Sequence, residues 1–221
     1  MIGLTIPDDR PLRVLAIGAH SDDIEIGAGG LLLELLGADR VESIDWVVLS
    51  AEGARADEAR RSAEALVAGR AGLRTTVTAF RERFFPHLPE LKDAVDDLGR
   101  RIQPGLVLAP RLEDRHQDHR TVAELVWQAF RDHLVLEYEI VKYEGDLGMP
   151  NVYMPLSEAV VAAKVAHLMT AFPSQSHRPW YDDMAFRSIL RIRGIESNAA
   201  SGYAEAFTGR KVTIGPRPTP Q

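Results

Sequence analysis

The chain lacks cysteine, an excess of basic side chains and any long apolar run. The absence of cysteine among its 221 residues excludes disulfides and thiolate metal ligands, so any bound metal must be held by histidine or carboxylate side chains. The 26 basic side chains are outnumbered by 32 acidic ones, and the net charge of −6 argues against a nucleic-acid partner, which would need a basic face. No apolar run approaches the roughly 20 residues of a membrane span, and the N-terminus lacks the basic and apolar regions of a secretory leader. We therefore expect a cytoplasmic protein without a membrane span.

Apolar runs alternate with helical patterns along the first two thirds of the chain. The apolar runs predict five strands, at residues 12–19, 44–50, 75–80, 106–110 and 137–143. Helical spacing of apolar residues lies between these runs, at residues 26–36, 57–70, 91–103 and 121–133. This alternation is typical of right-handed βαβ units and a parallel sheet. We predict a single-domain, Rossmann-like α/β fold, a doubly wound and mostly parallel sheet of order 3-2-1-4-5 flanked by helices.

The pattern is less regular beyond residue 145. Glycine, proline and asparagine predict a loop at residues 145–151, and Ser157 is a candidate N-cap for a following helix. A last strand is predicted at residues 152–156, and helices are predicted at 158–170 and 182–193. Residues 172–180 between the helices are irregular, and residues 215–221 are predicted to be a frayed tail.

A histidine and three carboxylates are crowded into the predicted turn after the first strand. They are His20, Asp22, Asp23 and Glu25, and a glycine-rich helix start at residues 27–30 follows them. In an open α/β sheet this turn faces the ligand crevice, which favours a metal site. The alternatives are a carboxylate that caps the helix, or a dinucleotide site, in which the carboxylates would repel the pyrophosphate. The glycines also indicate close packing of the helix on the sheet.

The turn after the fourth strand, residues 111–119, is also rich in histidine and aspartate. Strands 1 and 4 are neighbours in the predicted order, so both turns would open into the same crevice. Two histidines and one carboxylate with an open fourth position are typical of a catalytic zinc site. The residues alone leave the set open: His20 with Asp22 or Asp23, and either His116 or His119. The alternative is that the second pair of histidines lies on the surface.

Both turns resemble the motifs of the PIG-L/LmbE-like zinc N-deacetylases. Residues 19–23 read Ala-His-Ser-Asp-Asp, against Ala-His-Pro-Asp-Asp in that family, and residues 114–119 resemble its Asp-x-His-Pro-Asp-His motif. Further similarities lie at Arg55-x-x-Glu58, Ser174-Gln175 and residues 203–207. The resemblance extends over about residues 12–207, which leaves residues 208–221 as a tail of one domain spanning 1–221. Ser21 and Gln117 replace the prolines of the two motifs, which removes some rigidity from the turns.

The resemblance implies a zinc site with separate roles for its residues. His20, Asp23 and His119 would hold one zinc ion. Asp22 would be the general base that takes a proton from a zinc-activated water and could return it to the departing nitrogen.

Two further residues complete the implied catalytic set. His116 would stabilise the tetrahedral oxyanion and assist the leaving amine, and Asp118 would orient a histidine. The implied reaction is hydrolysis of an acetamide to a free amine and acetate, on an amino sugar conjugate of the N-acetylglucosamine type. The alternatives are a zinc amidase for a thiol conjugate or another N-acylated small molecule, and a nucleotide-binding module without catalysis.

Four residues outside the two turns are candidate substrate contacts: Arg55, Gln175, His177 and Trp180. Arg55 could instead pair with Glu58 on its helix, and the other three could simply pack an irregular segment. The sequence leaves the oligomeric state open, a homo-oligomer included.

Overall fold

The computed structural model describes residue 3 and residues 11–212, and its core is a sheet of seven strands. The tail predicted from residue 215 lies outside the described residues. The strands, numbered in chain order, are β1 Leu12–Gly18, β2 Val41–Val48, β3 Gly72–Val77, β4 Leu106–Pro110, β5 Val135–Tyr138, β6 Val152–Pro155 and β7 Ala204–Gly209.

The sheet has the order β3-β2-β1-β4-β5-β7-β6. The first five strands are parallel to their neighbours in the predicted order, which confirms the α/β fold class. β7 adds antiparallel to β5, and β6 pairs antiparallel with β7, so the sheet is mixed at this edge. β6 was predicted, but β7 was not. β3 ends at Val77 rather than residue 80, and the chain beyond it continues as an isolated bridge between Ser50 and Ala79.

Six helices flank the sheet within the described residues. They are α1 Asp23–Gly37, α2 Gly53–Val67, α3 Pro89–Arg101, α4 Gln117–Ala129, α5 Glu158–Ala171 and α6 Asp183–Ser197. Each of the first four begins two to four residues before its predicted start. Ser157 caps α5 as predicted, since its hydroxyl accepts from the Val160 N–H at 3.2 Å. No helix within residues 11–212 is long and apolar enough to cross a membrane.

Apolar side chains fill both faces of the sheet. Val14 and Ala16 of β1 belong to one buried cluster, with residues of α1, α2 and α5. Leu15 and Ile17 alternate with them and belong to a second cluster, with residues of α3 and α4. Burial on both faces explains why the parallel strands are apolar throughout.

Two glycines bring α1 unusually close to the sheet. A Cβ at Gly27 would lie 2.2 Å from the ring of Tyr138 in β5, and one at Gly30 would lie 2.8 Å from the carboxylate of Glu205 in β7. The predicted close packing of helix on sheet is therefore confirmed at both positions.

The space beside Gly30 is used by a buried ion pair. The Glu205 carboxylate accepts from the N–H groups of Gly30 and Leu31, both at 2.6 Å. It also pairs with the ammonium of Lys164, which donates to the Ile26 carbonyl at 2.6 Å. The Ile26 carbonyl is the ordinary helical acceptor for the Gly30 N–H. Side chains from α5 and β7 are thus inserted at the middle of α1.

Candidate metal centre

The two histidine-containing turns lie side by side at one edge of the sheet. β1 and β4 are parallel neighbours, and each runs into its turn at its carboxyl end, the end at which ligands bind in open α/β sheets. His20 Nδ1 lies 3.1 Å from His119 Nε2. The ring of His116 is centred 4.9 Å from that of His20 and 4.7 Å from that of His119.

Asp23 completes a compact triangle of buried ligand atoms. Its Oδ2 lies 3.5 Å from His20 Nδ1 and 3.3 Å from His119 Nε2. An ion held tetrahedrally at about 2.0–2.1 Å from each ligand atom needs those atoms about 3.3–3.4 Å apart. The three observed separations, 3.1–3.5 Å, surround this value, so these donors fit a zinc-sized ion without rearrangement.

His116 offers a second set of three donors. Ligand atoms of His20, His116 and His119 all lie within 4.8 Å of one another, and this group could also hold a metal ion. His116 is the N-cap of α4, and its Nδ1 accepts from the Asp118 N–H at 3.3 Å. The ring therefore has only Nε2 left for another partner.

Carboxylate charge controls the protonation of the two most buried histidines. Burial lowers the pKa of His20, but the charge of Asp23 and hydrogen bonds to Asp118 and Asp23 outweigh it and raise the pKa to about 9. Burial also lowers the pKa of His119, but the charges of Asp23 and Asp114 and hydrogen bonds to them outweigh it and raise the pKa to about 10. The Asp23 carboxylate is correspondingly held well below its usual pKa by the two histidines, despite its burial. Histidine binds a metal in its neutral form, so metal binding at this triangle would be coupled to the release of protons.

Asp22 is the carboxylate of the first turn that is not part of the triangle. It is only 5% exposed, and burial and the charge of Asp23 raise its pKa to about 6, against an opposing effect of Arg55. Its side chain makes no hydrogen bond that caps α1. The interpretation of Asp22 as a helix cap is therefore wrong, and a carboxyl group with a pKa near neutrality can exchange protons at physiological pH.

Asp118 is fixed by a loop that the sequence did not single out. Its Oδ2 lies 3.4 Å from His20 Nε2 and accepts from the backbone N–H of Arg83 at 2.6 Å, while its Oδ1 accepts from that of Phe85 at 3.3 Å. Arg83 has a left-handed backbone, with φ of 69°. These contacts use main-chain donors, so no motif in the loop could have pointed to them.

Asp114 fixes the other buried histidine. Its Oδ2 lies 3.1 Å from His119 Nδ1 and 2.9 Å from the ammonium of Lys142. A carboxylate on the far nitrogen of a ligand histidine sets its tautomer and orientation. Asp114 stands at the start of the second motif, but sequence reasoning gave the orienting function to Asp118 alone and missed Asp114.

Arg55 pairs with Glu82, and not with Glu58, which the sequence had suggested as its partner. Its guanidinium pairs with Glu82 at 3.2 Å, while Glu58 accepts from the N–H of Ser174 at 3.0 Å and from its hydroxyl at 2.5 Å. The alternative of an Arg55–Glu58 pair is therefore wrong. Glu58 instead ties α2 to the irregular segment after α5.

The other predicted substrate contacts lie in that segment. Gln175 is buried and donates to the Ser174 hydroxyl at 3.2 Å. Trp180 is half-buried, with its ring centred 6.4 Å from that of Tyr143, and His177 is exposed. Among the described residues, neither Trp180 nor His177 forms a hydrogen bond with the histidines of the two turns.

Residues 15–130 match the family model described as PIG-L, GlcNAc-PI de-N-acetylase. This match spans both turns and the strands that carry them.

Solved structures with the same fold have several functions. The chain is 22% identical to a conserved protein from Thermus thermophilus (TM-score 0.72, covering 95% of this chain and 100% of that one). It is 20% identical to the N,N'-diacetylchitobiose deacetylase from Pyrococcus horikoshii (TM-score 0.66, 90% and 83% covered). It is also 19% identical to the 4-carboxy-2-hydroxymuconate hydratase from Pseudomonas putida (TM-score 0.70, 94% and 99% covered). At these identities the likeness shows the fold alone, and the hydratase illustrates that one fold serves different reactions.

Proposed function

Because the chain belongs to the PIG-L family, we propose that it is a zinc-dependent N-deacetylase. The reaction is hydrolysis of the acetamide of an N-acetylglucosamine-type amino sugar conjugate to a free amine and acetate. The observation that carries the proposal is the triangle of His20 Nδ1, Asp23 Oδ2 and His119 Nε2, with separations of 3.1–3.5 Å.

His20, Asp23 and His119 are the ligands in this proposal, rather than the three histidines. Two histidines and one carboxylate match the donor sets of catalytic zinc sites, and their spacing already suits a tetrahedral ion. His116 is already bound at Nδ1 by the Asp118 N–H, which leaves its Nε2 for the substrate. When bound, zinc would polarise the substrate carbonyl and lower the pKa of a water to about 7.

Asp22 and His116 carry out the proton transfer and the charge stabilisation. Asp22 takes a proton from the attacking water as its oxygen bonds to the carbonyl carbon. His116 Nε2 donates a hydrogen bond to the oxyanion that forms on the substrate. The bond from carbon to nitrogen then breaks, and the proton held by Asp22 passes to the departing amine. Asp118 positions His20 for this arrangement.

The amino sugar is supported by the family description and by the activity in the name of the Pyrococcus protein. Arg55, Gln175, His177 and Trp180 are the proposed substrate contacts. The effect of the Arg55 charge on Asp22 supports a substrate contact for Arg55 near the reacting group. In this proposal the half-buried indole of Trp180 stacks on the sugar ring.

The test is release of acetate and amine from a panel of N-acetylated compounds, with and without a chelator. The panel contains N-acetylglucosamine conjugates with varied aglycones, and N-acetylated thiol conjugates without sugar. We expect release from the sugar conjugates, loss of activity with the chelator and recovery with added zinc. Release from the thiol conjugates alone would replace the sugar deacetylase by the amidase alternative. A metal-free protein that binds nucleotides and hydrolyses none of the panel would contradict the proposal.

A further inference from the structure

Lys142 joins the metal centre to the loop after β5. Its ammonium lies 2.9 Å from Asp114 Oδ2, the same oxygen that lies 3.1 Å from His119 Nδ1. The side chains of Lys142 and Asp114 are only 8% and 2% exposed. A buried carboxylate needs a counter-charge to remain ionised, and Lys142 is a cation beside Asp114 in addition to the His119 ring.

The same ammonium holds a second carboxylate. Asp146 Oδ1 and Oδ2 lie 2.7 and 2.9 Å from Lys142 Nζ, and Asp146 Oδ2 also accepts from the N–H of Arg115 at 2.7 Å. Lys142 thus stands between two buried aspartates, one from the second turn and one from its own loop. An ammonium has three hydrogens, so both contacts can be made at once.

We propose that Lys142 is a positioning residue of the metal centre. By holding the Asp114 carboxylate, it fixes the orientation of His119 and keeps Nε2 directed at the metal. This inference rests on the proposed function, because it needs His119 to be a ligand. Without Lys142, Asp114 and Asp146 would be two buried carboxylates that had lost the ammonium they share. The side chain of Asp114 would then lose the contact that holds Oδ2 towards His119, and His119 would lose its fixed acceptor.

The direction of the change in zinc affinity distinguishes a lost orientation of His119 from the lost charge of Lys142. Removing a positive charge near a divalent cation strengthens the binding of that cation by Coulomb's law. Loss of the orientation of a ligand histidine weakens it, typically by 10–100-fold for partners of this kind. A weaker affinity in a variant without the ammonium therefore reports orientation.

The experiment measures the zinc dissociation constant of Lys142→Met by competition with a chromophoric chelator. We expect affinity to fall about 10-fold, together with loss of the NMR signal of the His119 Nδ1 proton. Lys164→Met is the matched control, because Lys164 is also a buried lysine in an ion pair, with Glu205, and is 4% exposed. It should reduce stability and leave zinc affinity unchanged. Asp146→Asn keeps Lys142 on Asp114 and should also retain near-normal affinity.

Each result decides one question. Unchanged or tighter zinc binding by Lys142→Met would overturn the inference, as would an equal loss in Asp146→Asn, which would assign the effect to the loop as a whole. Lys142→Gln, also uncharged, takes the place of Lys142→Met if that variant does not fold, with the same expectation. Failure of the unmodified protein to bind zinc would instead refute the proposed function.

Discussion

The two turns of the metal centre are held in different ways. The first, residues 19–23, is held by its own chain: the His20 N–H donates to Asp23 Oδ2 at 2.8 Å, and α1 begins at Asp23. Close packing of Gly27 on Tyr138 then fixes the helix on the sheet. The turn is thus closed by a local hydrogen bond, and its helix is fixed by a contact with β5.

The second turn, residues 111–119, also has internal hydrogen bonds, such as that from the His116 N–H to Asp114 Oδ1 at 2.8 Å, but its two aspartates are held in addition by partners from elsewhere in the chain. Backbone N–H groups of the loop before α3 bind Asp118, and Lys142 from the loop after β5 binds Asp114. Opening of either loop would release a histidine partner, whereas the first turn would keep its internal hydrogen bond. The comparison teaches that the first turn is closed by a hydrogen bond within itself, whereas the aspartates of the second turn depend in addition on two loops.

Ligand loss should have the largest effect and should be equal in the two turns. In His20→Ala and in His119→Ala, zinc affinity should fall by more than about 100-fold, the upper end of what outer partners cost, and activity should disappear with the metal. Isothermal titration of zinc into each apoprotein measures this. Normal zinc binding in either variant would show that the two turns do not contribute equally, and would remove that histidine from the ligand set.

Asp22→Asn should separate catalysis from metal binding within the first turn. The amide cannot accept the water proton, so kcat should fall about 10³-fold, within the usual range for a general base. Zinc content, measured by atomic emission, should remain near one per chain. Wild-type turnover in this variant would exclude Asp22 as the base.

His116→Ala should do the same within the second turn, with a smaller effect. Loss of one oxyanion donor costs about 10²-fold in kcat, and zinc affinity should be retained. The variant also decides between the two donor sets. If its zinc affinity falls as far as that of His119→Ala, the three histidines hold the metal and Asp23 does not.

Gly27→Ala should disturb the local support of the first turn and have the smallest effect on turnover. The new Cβ would lie 2.2 Å from the Tyr138 ring, and overpacking of this kind costs about 1–3 kcal/mol of unfolding free energy, measured by urea denaturation. Gly29→Ala is the matched control in the same helix, because its Cβ would meet nothing closer than 3.8 Å. That variant should be more stable, by about 0.5–1 kcal/mol. Equal stability of the two variants would mean that α1 is not fixed by this contact.

Sequence reasoning predicted the parts of the molecule that depend on short-range patterns. The order of the first five strands and the placement of both His/Asp clusters on strand-to-helix turns follow from apolar periodicity and from the geometry of parallel sheets. The strands and turns are contiguous segments, and their order is the common one of doubly wound folds. The Ser157 cap has the same local character.

The contacts that were missed join residues that are distant in sequence. Arg83 acts through its main chain, and Lys142 stands in a loop where lysine is ordinary. β7 was missed because Glu205 interrupts its apolar pattern, and that carboxylate is buried only because α1 and α5 surround it. Arg55 was considered with the nearest acid on its helix, but the fold brings Glu82 to it. No pattern within one segment encodes these pairings.

The ion pair of Lys164 and Glu205 imposes an order on biosynthesis. The N–H groups of Gly30 and Leu31 find their carboxylate partner only in β7, which is synthesised after every other strand and helix described. While the chain is still being made, the helix that follows the first histidine turn therefore lacks a buried partner at its middle. A nascent chain that stops short of β7 would hold α1 without the carboxylate that accepts from the N–H groups of Gly30 and Leu31.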